Sequence, residues 1–191
     1  MAKQAWIVVL GVIVVSAGCG GDDTFVPGGR ADDDVGGGSA NLECGDFDDT
    51  NTGLDAEEQA FLDLLNQHRA SNGAPPVTAC TSMNRAAQAH SEDMRDEDYF
   101  NHTGLNGSSP SSRACEACYE SCQSVGFGEN IAAGNAGAEG TFQQWVTSEG
   151  HNANMLRAQY EVVGIGRATG GGSYGSYWTN VFATASDASC N

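Results

Sequence analysis

Residues 161–184 read EVVGIGRATGGGSYGSYWTNVFAT and decide the fold class of the second half of the chain. The two end runs, Glu161–Ala168 and Tyr177–Thr184, are rich in β-branched and aromatic residues, which favour strands. The stretch between them, Gly170–Ser176, consists of Gly, Ser and Tyr and is typical of a loop. The segment therefore predicts an antiparallel β-hairpin with a long loop near the end of the chain.

Helical patterns precede this hairpin. Asp55 and Glu58 have the D-x-x-E form of a capping box, and apolar residues then recur at helical spacing. Ser109 followed by Pro110 marks another helix start. Four helices are predicted, over residues 55–72, 81 or 82–98, 110–118 and 141–148. Helices followed by antiparallel strands indicate a layered α/β or an α+β domain.

The first nineteen residues have the form of an export signal. Lys3 precedes an apolar run over residues 6–15, and small residues follow directly before Cys19. The run is about half of the ~20 residues that a membrane-spanning helix needs. The end of the segment resembles the lipobox of bacterial lipoproteins, with Ser16 at the position usually held by leucine. Residues 1–18 are therefore predicted to be a lipoprotein-type signal peptide, with Cys19 as the acylated residue.

Acidic residues are concentrated near the amino end. The net charge is −17, and residues 20–58 hold 12 of the 25 acids but only one base. Because nucleic-acid binding depends on Lys and Arg, this balance excludes DNA or RNA as the main partner. Residues 19–53 are rich in Gly and Asp and poor in large apolar groups, so they are predicted to form a flexible acidic tether. One domain, over residues 54–191, remains.

The seven cysteines fit an oxidising compartment. Removing Cys19 leaves an even number, which favours three disulfides of unknown pairing. The six residues are Cys44, Cys80, Cys115, Cys118, Cys122 and Cys190. The three that lie close together in sequence, between residues 115 and 122, could instead bind a metal or do redox chemistry. Disulfides are favoured because no second CxxC or histidine cluster completes a zinc site.

Seven short motifs between residues 54 and 184 resemble the bacterial branch of the CAP superfamily, which includes cysteine-rich secretory proteins. In chain order they are LNQHR (65–69), HSEDM (90–94), YFNHT (99–103), GENIA (128–132), WxxSEGHxxN (145–154), VGIG (163–166) and YWTN (177–180). The resemblance covers about two-thirds of the chain. It implies a three-layer α-β-α sandwich that ends in the antiparallel hairpin.

The resemblance also implies a cleft lined by two histidines and two glutamates. By motif these are His102, Glu129, His151 and, with a different spacing, Glu149. On one continuous helix Glu149 and His151 point apart, so both face the cleft only if the helix breaks near Gly150. Two imidazoles and a carboxylate suit Zn²⁺ or another divalent cation. A hydrogen-bonded polar core that ties loops together is an equally good interpretation of these residues.

Three functions are compatible with these features. The first is a membrane-tethered extracytoplasmic module, on the cell surface or in the periplasm, that binds a small lipid, glycan or peptide in the His/Glu cleft. The second is a metal-assisted hydrolase acting on peptides or cell-wall material. The third is a structural or adhesive surface protein. The binding function is preferred over hydrolysis because no Ser or Cys nucleophile has an obvious base. The membrane is expected to be contacted only through the lipid anchor.

Overall fold

The computed structural model describes residues 53–191. The predicted signal peptide, Cys19, the tether and Cys44 lie outside the described residues. The helices are α1 (Ala56–Ser71), α2 (Thr81–Asp96), α3 (Pro110–Glu116), α4 (Ala138–Val146) and α5 (Glu149–Leu156), and the strands are β1 (Thr78–Ala79), β2 (Phe127–Ala133), β3 (Val162–Thr169) and β4 (Ser176–Ala183). None of the helices within this part of the chain is both long and apolar enough to cross a membrane.

The four strands form one sheet in the order β1-β3-β4-β2. The predicted hairpin is confirmed, since β3 and β4 pair antiparallel with Val163 opposite Phe182. Strand β2 pairs antiparallel with the other side of β4, with Asn130 opposite Asn180. The short β1 pairs parallel with β3. Strand β2 is therefore an edge of the sheet.

Helix α2 covers one face of the sheet, and α1, α4 and α5 lie on the other side. The expected α-β-α layering is thus present. The α2 layer comes very close to β3 because two strand residues lack side chains. A Cβ atom added at Gly164 or Gly166 would collide with the backbone of α2. Glycine is needed at both positions to let the helix backbone approach the strand.

The opposite layer packs large aromatic side chains. Phe61 of α1 contacts Trp145 of α4 edge-to-face, with ring centroids 5.2 Å apart. Trp178 of β4 lies 5.8 Å from the same phenyl ring. All three side chains are fully buried. Edge-to-face aromatic contacts add to the free energy gained from burying apolar area, so this cluster fixes α4 against the sheet.

The boundaries of the first three helices agree with the sequence prediction to within two residues. At α1, Asp55 accepts from the backbone N–H of Glu58 while the Glu58 side chain accepts from Asp55, so the capping box is complete. The fourth predicted helix, over residues 141–148, disagrees with the structure. It begins at Ala138 and ends at Val146, and a separate helix follows. The break falls at residues 147 and 148, where the sequence has no glycine or proline to signal it.

Two of the predicted disulfides are present. One joins Cys80 at the start of α2 to Cys190 near the end of the chain. The other joins Cys115 to Cys122 and closes a small loop after α3. Cys118 is disulfide-bonded as well. These bonds confirm disulfides rather than a metal site for these cysteines.

Candidate functional site

The edge strand β2 presents alternate side chains to the two layers of the domain. Successive residues of a strand point to opposite faces. Glu129 bonds to Arg113 of α3 on one face. Asn130, the next residue, bonds to the backbone of α5 on the other face. Side chains from both layers therefore meet along this edge, and the expected cleft residues lie there.

Glu129 is held by two partners and is only 3% exposed. His102 Nδ1–H donates to Oε1 at 2.8 Å. Arg113 Nη2–H donates to Oε2 at 2.5 Å. Because a carboxylate only accepts from these groups, Nδ1 of His102 carries the proton. A neutral His102 then has its lone pair on Nε2.

Arg113 also fixes the position of His102 through the backbone. Its Nη1–H donates to the carbonyl of His102 at 3.1 Å and to the carbonyl of Ser108 at 3.0 Å. The guanidinium thus ties the loop between α2 and α3 to the acid on β2. Planar guanidinium groups suit such multiple contacts because their donors have fixed directions.

His151 lies in α5 and is half-buried. Its Nδ1 lies 2.8 Å from the hydroxyl oxygen of Ser148, and its ring packs beside Trp145. Burial and, to a smaller extent, the electrostatic effect of His102 lower the pKa of His151 to about 4. His151 is therefore a neutral imidazole at ordinary pH. Both histidines are linked to neighbouring residues of β2, His102 through Glu129 and the backbone of His151 through Asn130.

Buried asparagines connect α5 to β2. Asn130 Nδ2–H donates to the carbonyl of His151 at 3.0 Å. Asn154 Nδ2–H donates to the carbonyl of Glu129 at 3.2 Å and to Asn130 Oδ1 at 3.0 Å. This network fixes the backbone of one cleft histidine relative to the cleft acid. Asn130 and Asn154 are therefore buried polar groups that tie α5 to β2.

The structure does not bring Glu149 to this network. Gly150 lies inside α5, which runs unbroken from Glu149 to Leu156, so the helix break that would let both Glu149 and His151 face the cleft is absent there. Because residues two apart in a helix point roughly 200° apart, Glu149 projects away from the side of α5 that carries His151. Glu149 is exposed. Its position at the first turn suits a carboxylate, which is stabilised by the helix dipole.

The other three candidate residues, His102, Glu129 and His151, fit a three-ligand zinc site poorly. Among residues 53–191, no group of three or more His, Cys, Asp or Glu side chains is arranged to hold a metal ion. Both oxygens of Glu129 already bond to protein donors. A divalent cation in this cleft would have to be held mainly by the two imidazoles of His102 and His151. Catalytic zinc sites usually have three protein ligands.

Arg113 is the site residue that the sequence analysis missed. It lies in α3, whose capped start was predicted, and it is 7% exposed. An arginine in a short helix gives no sequence signal of burial. Only the fold shows that α3 packs against β2 and that the guanidinium there meets Glu129.

Comparison with known proteins identifies the family of the chain. The CAP sequence profile, of the Cysteine-rich secretory protein family, matches residues 62–182. The uncharacterized protein YkwD of Bacillus subtilis (strain 168) is 31% identical over 134 residues, which are 68% of this chain and 48% of that protein. This chain thus spans about half the length of that curated relative.

Two solved structures are similar. One is an extracellular protein containing a SCP domain from Bacillus anthracis str. Ames, with a TM-score of 0.57 and 27% identity over 68% of this chain and 40% of that chain. The other is an outer surface protein from Borrelia burgdorferi, with a TM-score of 0.60 and 16% identity over 70% of this chain and 97% of that chain. The second likeness concerns the fold alone. On the profile match and the YkwD similarity, this chain belongs to the CAP family, the cysteine-rich secretory protein family.

Proposed function

We propose that this chain is an extracytoplasmic binding module, tethered to a bacterial membrane through Cys19, that holds a small ligand in the cleft along β2. The proposal rests on the two hydrogen bonds that Glu129 accepts, one on each carboxylate oxygen. Each oxygen of this carboxylate accepts from a protein donor, which suits Glu129 to hold His102 and Arg113 in place rather than to act as a general base. The arrangement favours binding over hydrolysis.

The atoms left for a ligand are on the two histidines. In the described part of the chain, the side-chain hydrogen bonds of His102 and His151 are made through Nδ1. The Nε2 atoms are the polar atoms that a ligand would meet. Ring nitrogens of histidine form hydrogen bonds with donors or acceptors, so they suit a polar group on a lipid, glycan or peptide.

The similar proteins support the location. The B. anthracis protein is described as extracellular and the Borrelia protein as an outer surface protein. Both descriptions agree with the export signal and with three predicted disulfides in an oxidising compartment. Membrane attachment through Cys19 is tested by detergent phase separation of the wild-type chain and of Cys19→Ala in an acylating bacterial host. Wild type should enter the detergent phase and the variant should not, and equal partitioning would contradict the anchor.

Ligand binding is tested by NMR of the full chain. The ring protons of His102 and His151 are followed while palmitate, the N-acetylglucosamine dimer and trialanine are added in turn. We expect one probe to shift both rings and His102→Ala to abolish the shift of His151. His68, on α1 and bonded to Asn152, serves as the internal reference. If no probe moves either ring, the binding proposal loses its support. If His102→Ala lowers only the melting temperature and no probe binds wild type, the cleft is architectural.

A second candidate is Zn²⁺ binding by the two imidazoles. The contact of His102 Nδ1–H with Glu129 favours it, because metal-ligating histidines usually donate their other ring N–H to a carboxylate or carbonyl. The ion would be held through Nε2 of His102 and His151. Calorimetry with zinc chloride should show one weak site that His102→Ala and His151→Ala each remove. Glu149→Ala is the matched control, and equal affinity in all variants would rule this candidate out.

A further inference from the structure

A second cavity lies on the α2 and α3 side of the sheet, apart from the cleft histidines. It has a volume of about 360 Å³. Helix α2 forms one wall with Ala86, Ala89, His90 and Asp93, and α3 forms another wall. The loop between these helices closes one side with the polar residues Asn106 and Ser108. Ligand pockets in proteins span about 300–1,000 Å³, so this cavity suits a small molecule.

Two nitrogen atoms on the cavity wall, Nε of Arg113 and Nδ1 of His90, have hydrogen-bonding capacity that the protein does not fully use. Arg113 Nε is buried and, within the described residues, has no hydrogen-bond partner. The side chain is 7% exposed and lines the cavity. Its Nη atoms are already bound to Glu129 and to carbonyls. A buried N–H without an acceptor costs free energy, which a ligand oxygen would recover.

His90 supplies an acceptor at the same wall. It is 1% exposed, and Nε2–H donates to the carbonyl of Asn101 at 3.0 Å. A carbonyl cannot donate, so this contact places the proton on Nε2 and the lone pair on Nδ1. The hydroxyl of Tyr99 lies 3.5 Å from Nδ1 but donates its single proton to Asp93. Nδ1 therefore has little hydrogen bonding from the protein, and a ligand donor would satisfy it.

The lining residues carry both signs of charge, and the charge of Arg113 is already paired with Glu129. Helix α2 contributes Arg85 and Asp93, and α3 contributes Arg113 and Glu116. Burial lowers the pKa of His90 to about 4, so this ring adds no charge at ordinary pH. A charged ligand of either sign would lose hydration and would meet at least one lining side chain of its own sign. The wall therefore favours an uncharged molecule.

We propose that this cavity binds a neutral sugar unit. The wall offers both a donor, on Arg113, and acceptors, on His90 and Asp93, and each hydroxyl of a sugar can donate and accept. Three alanines, at positions 86, 89 and 117, provide a small apolar surface for the C–H groups of a sugar ring. A single ring with these properties also fits the modest volume better than a long lipid chain does.

Binding in the cavity and binding in the cleft can be followed through different histidines. Neither His102 nor His151 is among the residues that line the cavity, and His90 is. NMR of the ring protons of the full chain therefore distinguishes binding in the cavity from binding in the cleft. Failure of this proposal leaves the cleft proposal standing, and the reverse also holds.

The test titrates the full chain with glucose and N-acetylglucosamine, and in parallel with glucosamine, glucuronate and trialanine. We expect a neutral sugar to shift the ring protons of His90 with saturation while His102 and His151 stay unchanged. Ala89→Leu fills the cavity from an exposed position of α2, so the helix should still fold. This variant should weaken sugar binding by at least about tenfold.

Ala60→Leu is the matched control, since Ala60 is an exposed helical alanine on α1 in the opposite layer. It should bind sugar as wild type does. The proposal is overturned if neither neutral sugar shifts His90, or if Ala89→Leu binds sugar as tightly as wild type. Tighter binding of glucosamine or glucuronate would overturn the assignment of an uncharged ligand. Binding of trialanine alone at His90 would assign the cavity to peptides and reject the sugar.

Discussion

Arg113 and Glu129 form a buried ion pair, with Nη2 and Oε2 2.5 Å apart and side chains 7% and 3% exposed. The pair joins α3 to the edge strand β2. Each ion loses its hydration on burial, so the pair is stable only because other hydrogen bonds complete both groups. His102 on the second oxygen of Glu129, and the two carbonyls on Arg113, supply those bonds.

Glu129→Gln should destabilise the domain by about 3 kcal/mol, because it leaves a buried guanidinium without its counter-ion. Urea unfolding at pH 7, followed by circular dichroism, measures the change. The matched control is Glu149→Gln, an exposed acid of the same type that should change the free energy of unfolding by less than about 0.5 kcal/mol. Equal stability of the two variants would show that the ion pair contributes nothing.

Acid should destabilise the protein in a defined pH range. The pKa values of His90 and His151 are both lowered from 6.5 to about 4, first of all by burial. Between these values the unfolded chain binds more protons than the folded chain, so the free energy of unfolding falls as the pH falls. We expect a loss on the order of 1–3 kcal/mol per histidine between about pH 6.5 and pH 4, measured by urea unfolding.

The variant His151→Asn isolates one of these two contributions. In this variant the free energy of unfolding should still fall with pH over this range, but less steeply. The slope that remains is the contribution of His90. A stability curve of the wild-type chain that is flat from pH 7 to pH 4 would contradict both shifts. Folded-state NMR titration checks the values directly, since neither ring should protonate appreciably above pH 5.

The two described disulfides should contribute unequally to stability. Cys80–Cys190 spans 110 residues and Cys115–Cys122 spans 7. A cross-link that closes a longer loop removes more entropy from the unfolded chain. The double replacements by Ala should cost about 5 kcal/mol for the long loop and about 2.5 kcal/mol for the short one. A larger loss for the short loop, by thermal or urea unfolding, would contradict this ordering.

If Cys19 is acylated as predicted, the third disulfide should join Cys44, which lies outside the described residues, to Cys118. The two described bonds use four of the six cysteines that remain after Cys19. Cys118 is disulfide-bonded, and Cys44 is the one cysteine left for it in this count. Non-reducing peptide mapping by mass spectrometry should recover this pair. A free thiol at Cys44 in oxidised protein would refute the assignment.

Local sequence patterns predicted much of the architecture because their causes are local. The capping box at Asp55, the proline at position 110 and the β-branched runs at the chain end each act through neighbouring residues. The strand β2 was not predicted as a strand, and neither was the split between α4 and α5. Both depend on contacts with elements far along the chain, such as the pairing of Asn130 with Asn180.

The sequence by itself determined the family and the order of the main elements, because these follow from motifs and periodicity along the chain. Only the tertiary structure decided which groups act together. It placed Arg113 on Glu129, turned Glu149 to solvent and made His151 a half-buried neutral ring. Charge pairing and desolvation depend on distances between distant residues, and only the packed layers fix those distances.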